Sequence, residues 1–151
     1  MLYLASDHAG YPLKEKIKKF LSKKGVTFED LGTHTDEAVD YSDYAFLVGK
    51  KVSLNPSVHR GVLFCGNGVG VCIAANKVKG VRAALIYDDL SAKQASEHSN
   101  SNVACFGSRT MKVSDVKKHL WTWHSTPFSG EARHVRRIRK ITDFENGKKT
   151  R

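Results

Sequence analysis

The sequence Gly-Val-Leu-Phe-Cys-Gly-Asn-Gly-Val-Gly occupies residues 61–70. Its first half, Gly61 to Cys65, is continuously apolar, which is typical of a strand that is covered on both faces. Glycine then occupies every second position of residues 66–70, and a helical pattern follows over residues 69–76. A buried strand that leads through a glycine-rich loop into a helix is the repeating unit of a parallel α/β sheet.

Short β-rich segments alternate with helical patterns on both sides of this unit. Strands are predicted over residues 2–5, 26–31, 61–65, 81–86 and 102–106. Helices are predicted between residues 10 and 25, over 41–52, 69–76 and 91–97, and around 113–123 and 135–141. Because each strand is followed by a helix, we expect one α/β domain over residues 1–151 with a five-stranded parallel sheet and helices on both faces. Within it, residues 133–151 are expected to form a basic C-terminal helix and tail.

The composition limits the class of protein and its location. Hydrophobic residues make up 40% and charged residues 26% of the 151 residues, which is a globular composition. No apolar run approaches the roughly 20 residues of a membrane span, so an integral membrane protein is excluded and no membrane partner is expected. The first residues show no basic region ahead of a long apolar stretch, so a cytoplasmic protein is expected.

The cysteines give no sign of a disulfide framework or a metal site. The chain has three of them, Cys65, Cys72 and Cys105, and an odd number without a secretory signal argues against disulfides. Their spacing does not resemble that of a zinc knuckle. No metal is therefore expected.

The positive charge is unevenly distributed. The net charge is +10, of which residues 133–151 carry +6 and the first 132 residues carry +4. Such an excess favours a polyanionic partner, which could be nucleic acid, a phosphorylated metabolite or an acidic lipid.

Polar groups that could perform chemistry follow the predicted strands. Ligands of open α/β sheets bind beyond the carboxyl ends of the strands, so we expect these groups to converge on that one edge. The groups in question are Asp7, His8, Cys65, the glycine-rich loop at 66–70, His98, Asn100 and Arg109.

Three features point to specific chemistry: the glycine-rich loop, Cys65 and a set of arginines. Backbone amides of a glycine-rich loop at a helix N-terminus can face an anion, and a cysteine placed there has a stabilised thiolate, which makes Cys65 a plausible base or nucleophile. The loop is neither a Walker A sequence nor Gly-x-Gly-x-x-Gly, so neither ATP nor NAD is implied. Arg133 and Arg137 lie four residues apart on one predicted helix face and, with Arg109, suit the capture of a small phosphate.

The alternative is a basic nucleic-acid-binding module. Such a surface would more naturally spread its charge and add exposed aromatic rings for stacking, which favours the small phosphorylated ligand. The remaining cysteines and most of the other histidines are interpreted as packing or structural residues: Cys72, Cys105, His34, His59, His119 and His124.

Several motifs, taken together, resemble one family. They are Ala5-Ser6-Asp7-His8-Ala9-Gly10, Asp40-Tyr41, Cys65-Gly66-x-Gly68-x-Gly70, Ala74-Ala75-Asn76-Lys77, Gly80-x-Arg82-Ala83, Phe106-Gly107-Ser108-Arg109 and the arginine-rich C-terminal helix. In this combination and order the chain resembles the type B ribose-5-phosphate isomerases, the sugar-phosphate isomerase family that includes the galactose-6-phosphate isomerase subunits. The resemblance implies a Rossmann-like three-layer sandwich with an extra C-terminal helix. It also implies a cofactor-free aldose–ketose isomerase, and a homodimer or dimer of dimers whose active sites use residues from both subunits.

The resemblance implies a role for each matching residue. Cys65 would move the proton between C2 and C1, and the loop with Gly66, Asn67, Gly68 and Gly70 would hold the enediolate oxygens. Asp7 and His98 would assist opening of the furanose ring. The phosphate would be bound by His8, Arg109, Arg133 and Arg137, and the sugar hydroxyls by Asp40 and Asn100. The implied reaction is the interconversion of ribose 5-phosphate and ribulose 5-phosphate in the pentose phosphate pathway; the alternative is a six-carbon substrate, galactose 6-phosphate or allose 6-phosphate.

Two segments depart from the family pattern. Asn67 stands where the family usually has Thr or Ser, and an amide can donate a hydrogen bond but cannot relay a proton as a hydroxyl can. The segment after His98 is Ser-Asn-Ser-Asn over residues 99–102, where the family usually has Asn-Asp-x-Asn, so that the family asparagine falls at Ser99.

Overall fold

A computed structural model describes residues 1–149. The strands are β1 (Leu2–Ser6), β2 (Phe28–Asp30), β3 (Arg60–Cys65), β4 (Ala83–Leu85) and β5 (Val103–Gly107). The helices are α1 (Tyr11–Lys23), α2 (Tyr41–Ser53), α3 (Val69–Ala75), α4 (Asp89–Glu97), α5 (Val113–Ser125) and α6 (Ala132–Glu145). The strands form one sheet in the order β2-β1-β3-β5-β4, and all its pairings are parallel. The predicted parallel sheet is therefore confirmed.

Helices cover both faces of the sheet. On one face, α1, α4 and α5 pack on alternate strand residues such as Leu4, Phe64 and Phe106. On the other face, α2 and α3 pack on the intervening residues, among them Leu63 and Cys105. The alternation places a hydrophobic core on each side, so β1, β3 and β5 are completely buried apart from the first residue of β3. The three-layer sandwich expected from the sequence is confirmed.

The C-terminal helix α6 lies outside both cores. Within α6 only His134 is buried, and no other described helix or strand packs extensively against it. Near its end the Glu145 carboxylate accepts a hydrogen bond from the amide of Gly80, 3.2 Å away, just before β4.

That residues 1–151 form a single domain stays a prediction, and Arg151 of the expected basic tail lies outside the described residues. None of the helices in residues 1–149 combines the length and the apolar character that a membrane crossing requires.

A buried ion pair holds the chain after β2 against the end of β1. The Lys14 side chain is fully buried against Asp30, and the Lys18 ammonium lies 2.7 Å from the second Asp30 oxygen. Burial lowers the pKa of Lys14; it opposes ionisation of Asp30 as well, but hydrogen bonds from both lysines hold the pKa of that carboxyl below its usual value. Asp30 also accepts the Gly32 amide at 3.0 Å, and the Gly32 carbonyl accepts the Ser6 amide at 2.7 Å. The ion pair thus fixes the backbone at the end of β1, where the loop that contains Asp7 and His8 begins.

Candidate active site

The loop after β1 holds a buried carboxylate. Asp7 is 6% exposed, and its Oδ1 accepts the Gly10 amide at 2.8 Å. The adjacent His8 ring has its Nδ1 3.2 Å from the carbonyl oxygen of Val39. A Cβ at Gly10 would lie 2.4 Å from the carbonyl oxygen of Phe64, so this loop runs directly over the end of β3. Asp7 is therefore held beside the glycine-rich loop, as predicted.

The glycine-rich loop closes around the sulfur of Cys65. This side chain is 4% exposed, and the Gly68 amide donates to its Sγ at 3.1 Å. Gly68 has φ +80°, a left-handed conformation that favours glycine, and a Cβ there would meet the backbone of Phe106 at 2.9 Å. The Asn67 side chain accepts the Val69 amide at 3.0 Å through Oδ1, which lies 3.9 Å from the sulfur. The sulfur is therefore enclosed by the loop and contacts one of its backbone amides.

The start of α2 borders the same loop. A Cβ at Gly70 would lie 2.8 Å from the Tyr41 ring, so this position has no room for a side chain. Asp40 precedes Tyr41 at the N-cap of α2; its side chain is exposed and makes no capping hydrogen bond. Its carboxylate is therefore free to contact a ligand above the loop.

The loop after β5 joins these segments and adds a guanidinium group. The Arg109 amide donates to the Gly66 carbonyl at 2.8 Å, and a Cβ at Gly66 would lie 3.3 Å from the Arg109 guanidinium. The Ser108 hydroxyl donates to the carbonyl of Ala9 at 2.7 Å, which ties this loop to the one after β1. We call the resulting group the carboxyl-edge cluster: Asp7, His8, Asp40, Cys65, the loop 66–70 and Arg109.

The expectation that all candidate residues meet at this edge is wrong for His98 and Asn100. A helix that follows a parallel strand returns the chain to the edge at which the next strand begins. His98 is the C-cap of α4, and the Asn100 carbonyl accepts a hydrogen bond of 2.8 Å from Nε of Arg82, which precedes β4. The five residues of β5 span roughly 16 Å, so these two residues lie at the opposite edge of the sheet.

The first turns of α6 lie beside His98. The ring centroids of His98 and His134 are 4.3 Å apart. Arg133 and Arg137 are exposed one turn apart on α6, as expected for one helix face, and Arg133 pairs with the Glu131 carboxylate at 2.8 Å. We call this group the amino-edge cluster: His98, Asn100, Arg133, His134 and Arg137.

His134 is the member of this cluster that the sequence analysis missed. Its side chain is 2% exposed, and burial lowers its pKa, with further lowering by the positive charges around it. A histidine within an arginine-rich helix looks like a surface residue. The available signal is its spacing of four from Ile138, which places it on the inward face of α6.

The other two cysteines lie away from both clusters, Cys105 in the core and the half-buried Cys72 packed against it. Cys105 is fully buried, which raises the pKa of its thiol well above the usual value. The Cys72 thiol donates to the carbonyl of Ala83 at 3.5 Å. Within residues 1–149, no three His, Cys, Asp or Glu side chains are grouped as a metal site requires.

Each cluster can do only part of the chemistry of a sugar phosphate. The carboxyl-edge cluster offers a thiol base, backbone donors for an oxyanion and a guanidinium group. The amino-edge cluster offers an imidazole for proton transfer and two arginines for a phosphate. Within one chain the thiol and the arginines of α6 are too far apart to reach the same small ligand.

Comparison with known proteins identifies the family. The family model described as Ribose/Galactose Isomerase matches residues 2–141. The chain belongs to the ribose/galactose isomerase family. A probable ribose-5-phosphate isomerase B of Mycoplasma genitalium is 45% identical over 145 residues, which cover 95% of each chain. The ribose-5-phosphate isomerase B of Escherichia coli is 38% identical, with 92% of each chain covered.

Solved structures of this family have the same fold. Ribose-5-phosphate isomerase B of Clostridium thermocellum superposes with a TM-score of 0.92 at 38% identity, over 97% of each chain. The M. genitalium enzyme, solved with bound ribulose 5-phosphate, gives a TM-score of 0.92 at 44% identity, over 96% of this chain and 95% of that one.

Proposed function

We propose that the protein is a type B ribose-5-phosphate isomerase, which interconverts ribose 5-phosphate and ribulose 5-phosphate in the pentose phosphate pathway. The observation that carries this proposal is the Cys65 sulfur, held under the Gly68 amide at the carboxyl edge of the sheet. Relatives named ribose-5-phosphate isomerase B, one of them solved with ribulose 5-phosphate, support it. The enzyme is proposed to need no metal or other cofactor, and its cytoplasmic location stays a prediction.

Cys65 acts as the base of the isomerisation. Its thiolate removes the proton from C2 of the open-chain aldose and returns it to C1, so that the carbonyl moves from C1 to C2. The hydroxyl proton of O2 moves directly to the neighbouring O1, so the negative charge of the enediolate passes from O1 to O2 between these steps. Backbone amides of the loop 66–70 and the Asn67 side chain donate to these oxygens, because charge that develops in the transition state is best stabilised by donors already in place.

The remaining residues open and hold the sugar. Asp7 and His98 transfer the protons of ring opening. Asp40 and Asn100 contact sugar hydroxyls. The phosphate is held by His8 and three arginines, namely Arg109, Arg133 and Arg137.

A complete site needs a second copy of the chain, because the two clusters lie at opposite edges of the sheet. Beside the carboxyl-edge cluster, Val69 and Ile73 of α3 are 42% and 57% exposed. Beside the amino-edge cluster, Ile141 and Phe144 of α6 are 50% and 74% exposed. Exposed apolar patches of this kind mark protein interfaces. We propose a homodimer, alone or as half of a dimer of dimers, in which each site combines the carboxyl-edge cluster of one subunit with the amino-edge cluster of the other.

If Arg133 and Arg137 bind the phosphate, replacing either with alanine should chiefly raise KM. The loss of one charge-assisted hydrogen bond costs about 1.5–3 kcal/mol, which corresponds to at least about tenfold in KM. Steady-state kinetics with ribose 5-phosphate measures this effect. Arg139, on a different face of α6 with an 80% exposed side chain, is the matched control.

Arg139→Ala and the double variant at Lys148 and Lys149 should leave KM nearly unchanged. Equal effects from all of these substitutions would contradict specific phosphate binding. They would instead indicate a diffuse basic surface, as the nucleic-acid alternative requires.

A substrate panel tests the proposed function. The protein is assayed with ribose 5-phosphate, galactose 6-phosphate and allose 6-phosphate, each with and without a chelator. We expect isomerisation of ribose 5-phosphate that the chelator does not affect. Preference for a hexose phosphate would indicate that the protein acts on a six-carbon substrate within the same family. Absence of isomerisation with every sugar phosphate, together with salt-sensitive binding of nucleic acid, would overturn the proposal.

A further inference from the structure

His134 has no part in the mechanism above, although it lies inside the amino-edge cluster. It is 2% exposed, whereas Arg133 and Arg137 on the same helix are exposed. Its ring lies 4.3 Å from that of His98 between centroids, with 31° between the ring planes. A buried imidazole in contact with a second, more exposed imidazole can control both the orientation and the protonation of that neighbour.

Contacts on the other side of the ring fix His134 in place. Its Nδ1 lies 2.8 Å from the Ser129 hydroxyl oxygen. The Ser129 amide in turn donates at 3.0 Å to the carbonyl of Glu97, the residue before His98. His134 is thus linked to His98 by ring contact, and to the residue before His98 through Ser129.

The charges around His134 keep it neutral. Burial lowers its pKa, and the adjacent His98, Arg133 and Arg137 lower it further. Glu131 is the carboxylate that acts in the opposite direction, and its Oε2 is engaged by Nε of Arg133 at 2.8 Å.

His98 is the more accessible ring of this pair. Its Nε2 lies 3.4 Å from the Glu97 carboxylate, and its side chain is 35% exposed. His98 is therefore the ring that a sugar can reach, and the buried His134 lies behind it.

We propose that His134 is a positioning residue for His98: it holds the His98 ring in place during opening of the furanose ring. This inference rests on the proposed function. In that step the bond between C1 and the ring oxygen breaks. The C1 hydroxyl gives up its proton as the carbonyl forms, and the ring oxygen gains a proton, so the number of protons is unchanged. His98 moves one of these two protons, and its alignment with the sugar sets the rate.

The chemistry of the two substrates separates this step from the isomerisation. Ribose 5-phosphate is mainly cyclic and must open first. Ribulose 5-phosphate is open-chain, because the hydroxyl that would close a five-membered ring on C2 carries the phosphate. In D2O, exchange of the C1 proton of ribulose 5-phosphate therefore depends on Cys65 and the loop 66–70 but not on ring opening.

The test compares both rates in the full-length enzyme carrying His134→Asn. We expect kcat with ribose 5-phosphate to fall about ten- to hundredfold, with an unchanged KM, as for a misplaced catalytic group. Exchange at C1 of ribulose 5-phosphate should stay within about twofold. His134→Phe keeps a neutral ring against His98 but loses the hydrogen bond to Ser129, so it should restore only part of the lost kcat.

Two further variants keep the inference falsifiable. His119 is a similarly buried histidine, paired with Asp89 at 2.9 Å away from both clusters, and His119→Asn should change neither rate. If His134→Asn does not fold, Ser129→Ala removes the hydrogen bond to Nδ1 and should lower kcat with ribose 5-phosphate alone. Equal losses in both rates, or no loss in either, would overturn the inference. Failure of the proposed function is visible separately, because the unmodified enzyme would then show neither rate.

Discussion

Cys65→Ala is expected to reduce the isomerisation of ribose 5-phosphate by roughly three to four orders of magnitude, the full contribution of a general base. The proton on C2 of an aldose is weakly acidic, so its removal requires a base in a fixed position and donors for the enediolate at the same time. Cys65 meets both conditions, because its sulfur lies 3.1 Å from the Gly68 amide at the start of the loop that holds the oxygens. Steady-state kinetics measures the loss in kcat. Titration with a sugar phosphate should show that binding is retained.

The two other cysteines provide matched controls for this variant. Cys72→Ala and Cys105→Ala remove the same thiol from the core, where burial keeps the Cys105 thiol protonated by raising its pKa. Both variants should remain active and lose at most some stability. Full activity of Cys65→Ala would contradict the proposed mechanism. Equal losses in all three cysteine variants would indicate that the effect comes from packing.

The structure also shows why an asparagine is compatible with the loop. Asn67 Oδ1 accepts the Val69 amide, the first of α3, at 3.0 Å, so the NH2 group is left to donate. A serine or threonine hydroxyl at this position could accept the same amide. The structural role of the position is therefore preserved, and only a proton relay between O1 and O2 would be lost.

Much of the fold follows directly from local sequence patterns. The continuous apolar segment at residues 61–65 is a strand buried on both sides, and Gly25 has the φ of +71° expected after the end of α1. The edge strands β2 and β4 have only three residues each, shorter than predicted, because only one neighbour pairs with each of them. Apolar content alone does not show where pairing stops.

The proposed site is harder to predict from the sequence because its residues lie at two opposite edges of the sheet. Asp7, Cys65 and Arg109 follow strands, and the rule for parallel sheets places them together correctly. His98 follows a helix, so the same rule places it at the other edge. The family resemblance implies active sites that use residues from both subunits, but it does not say at which edge of the sheet each residue lies. The role of His134 could not be predicted for another reason. Its burial depends on how α6 lies against the loop at Ser129.

Mixing two inactive variants should restore activity if each site is shared between subunits. Cys65→Ala removes the base from the carboxyl-edge cluster, and His98→Ala removes the imidazole from the amino-edge cluster. In a heterodimer of the two variants, one site contains both substitutions, whereas the other combines an intact Cys65 with an intact His98. Random pairing gives heterodimers as half of all dimers, so about a quarter of the wild-type activity is expected after co-expression or refolding of an equimolar mixture. Each variant alone should be nearly inactive.

The control for this experiment places both substitutions in one chain. A Cys65→Ala/His98→Ala double variant mixed with an equal amount of wild-type protein also forms heterodimers, but every mixed site then lacks one of the two groups. Its activity should fall to about the quarter contributed by wild-type homodimers, below the half expected if every chain carried a complete site. The opposite result, no recovery from the two single variants and half activity in the control, would mean that one chain brings its clusters together. With β5 separating His98 from Cys65 by roughly 16 Å, the sheet itself would have to be rearranged for that to occur.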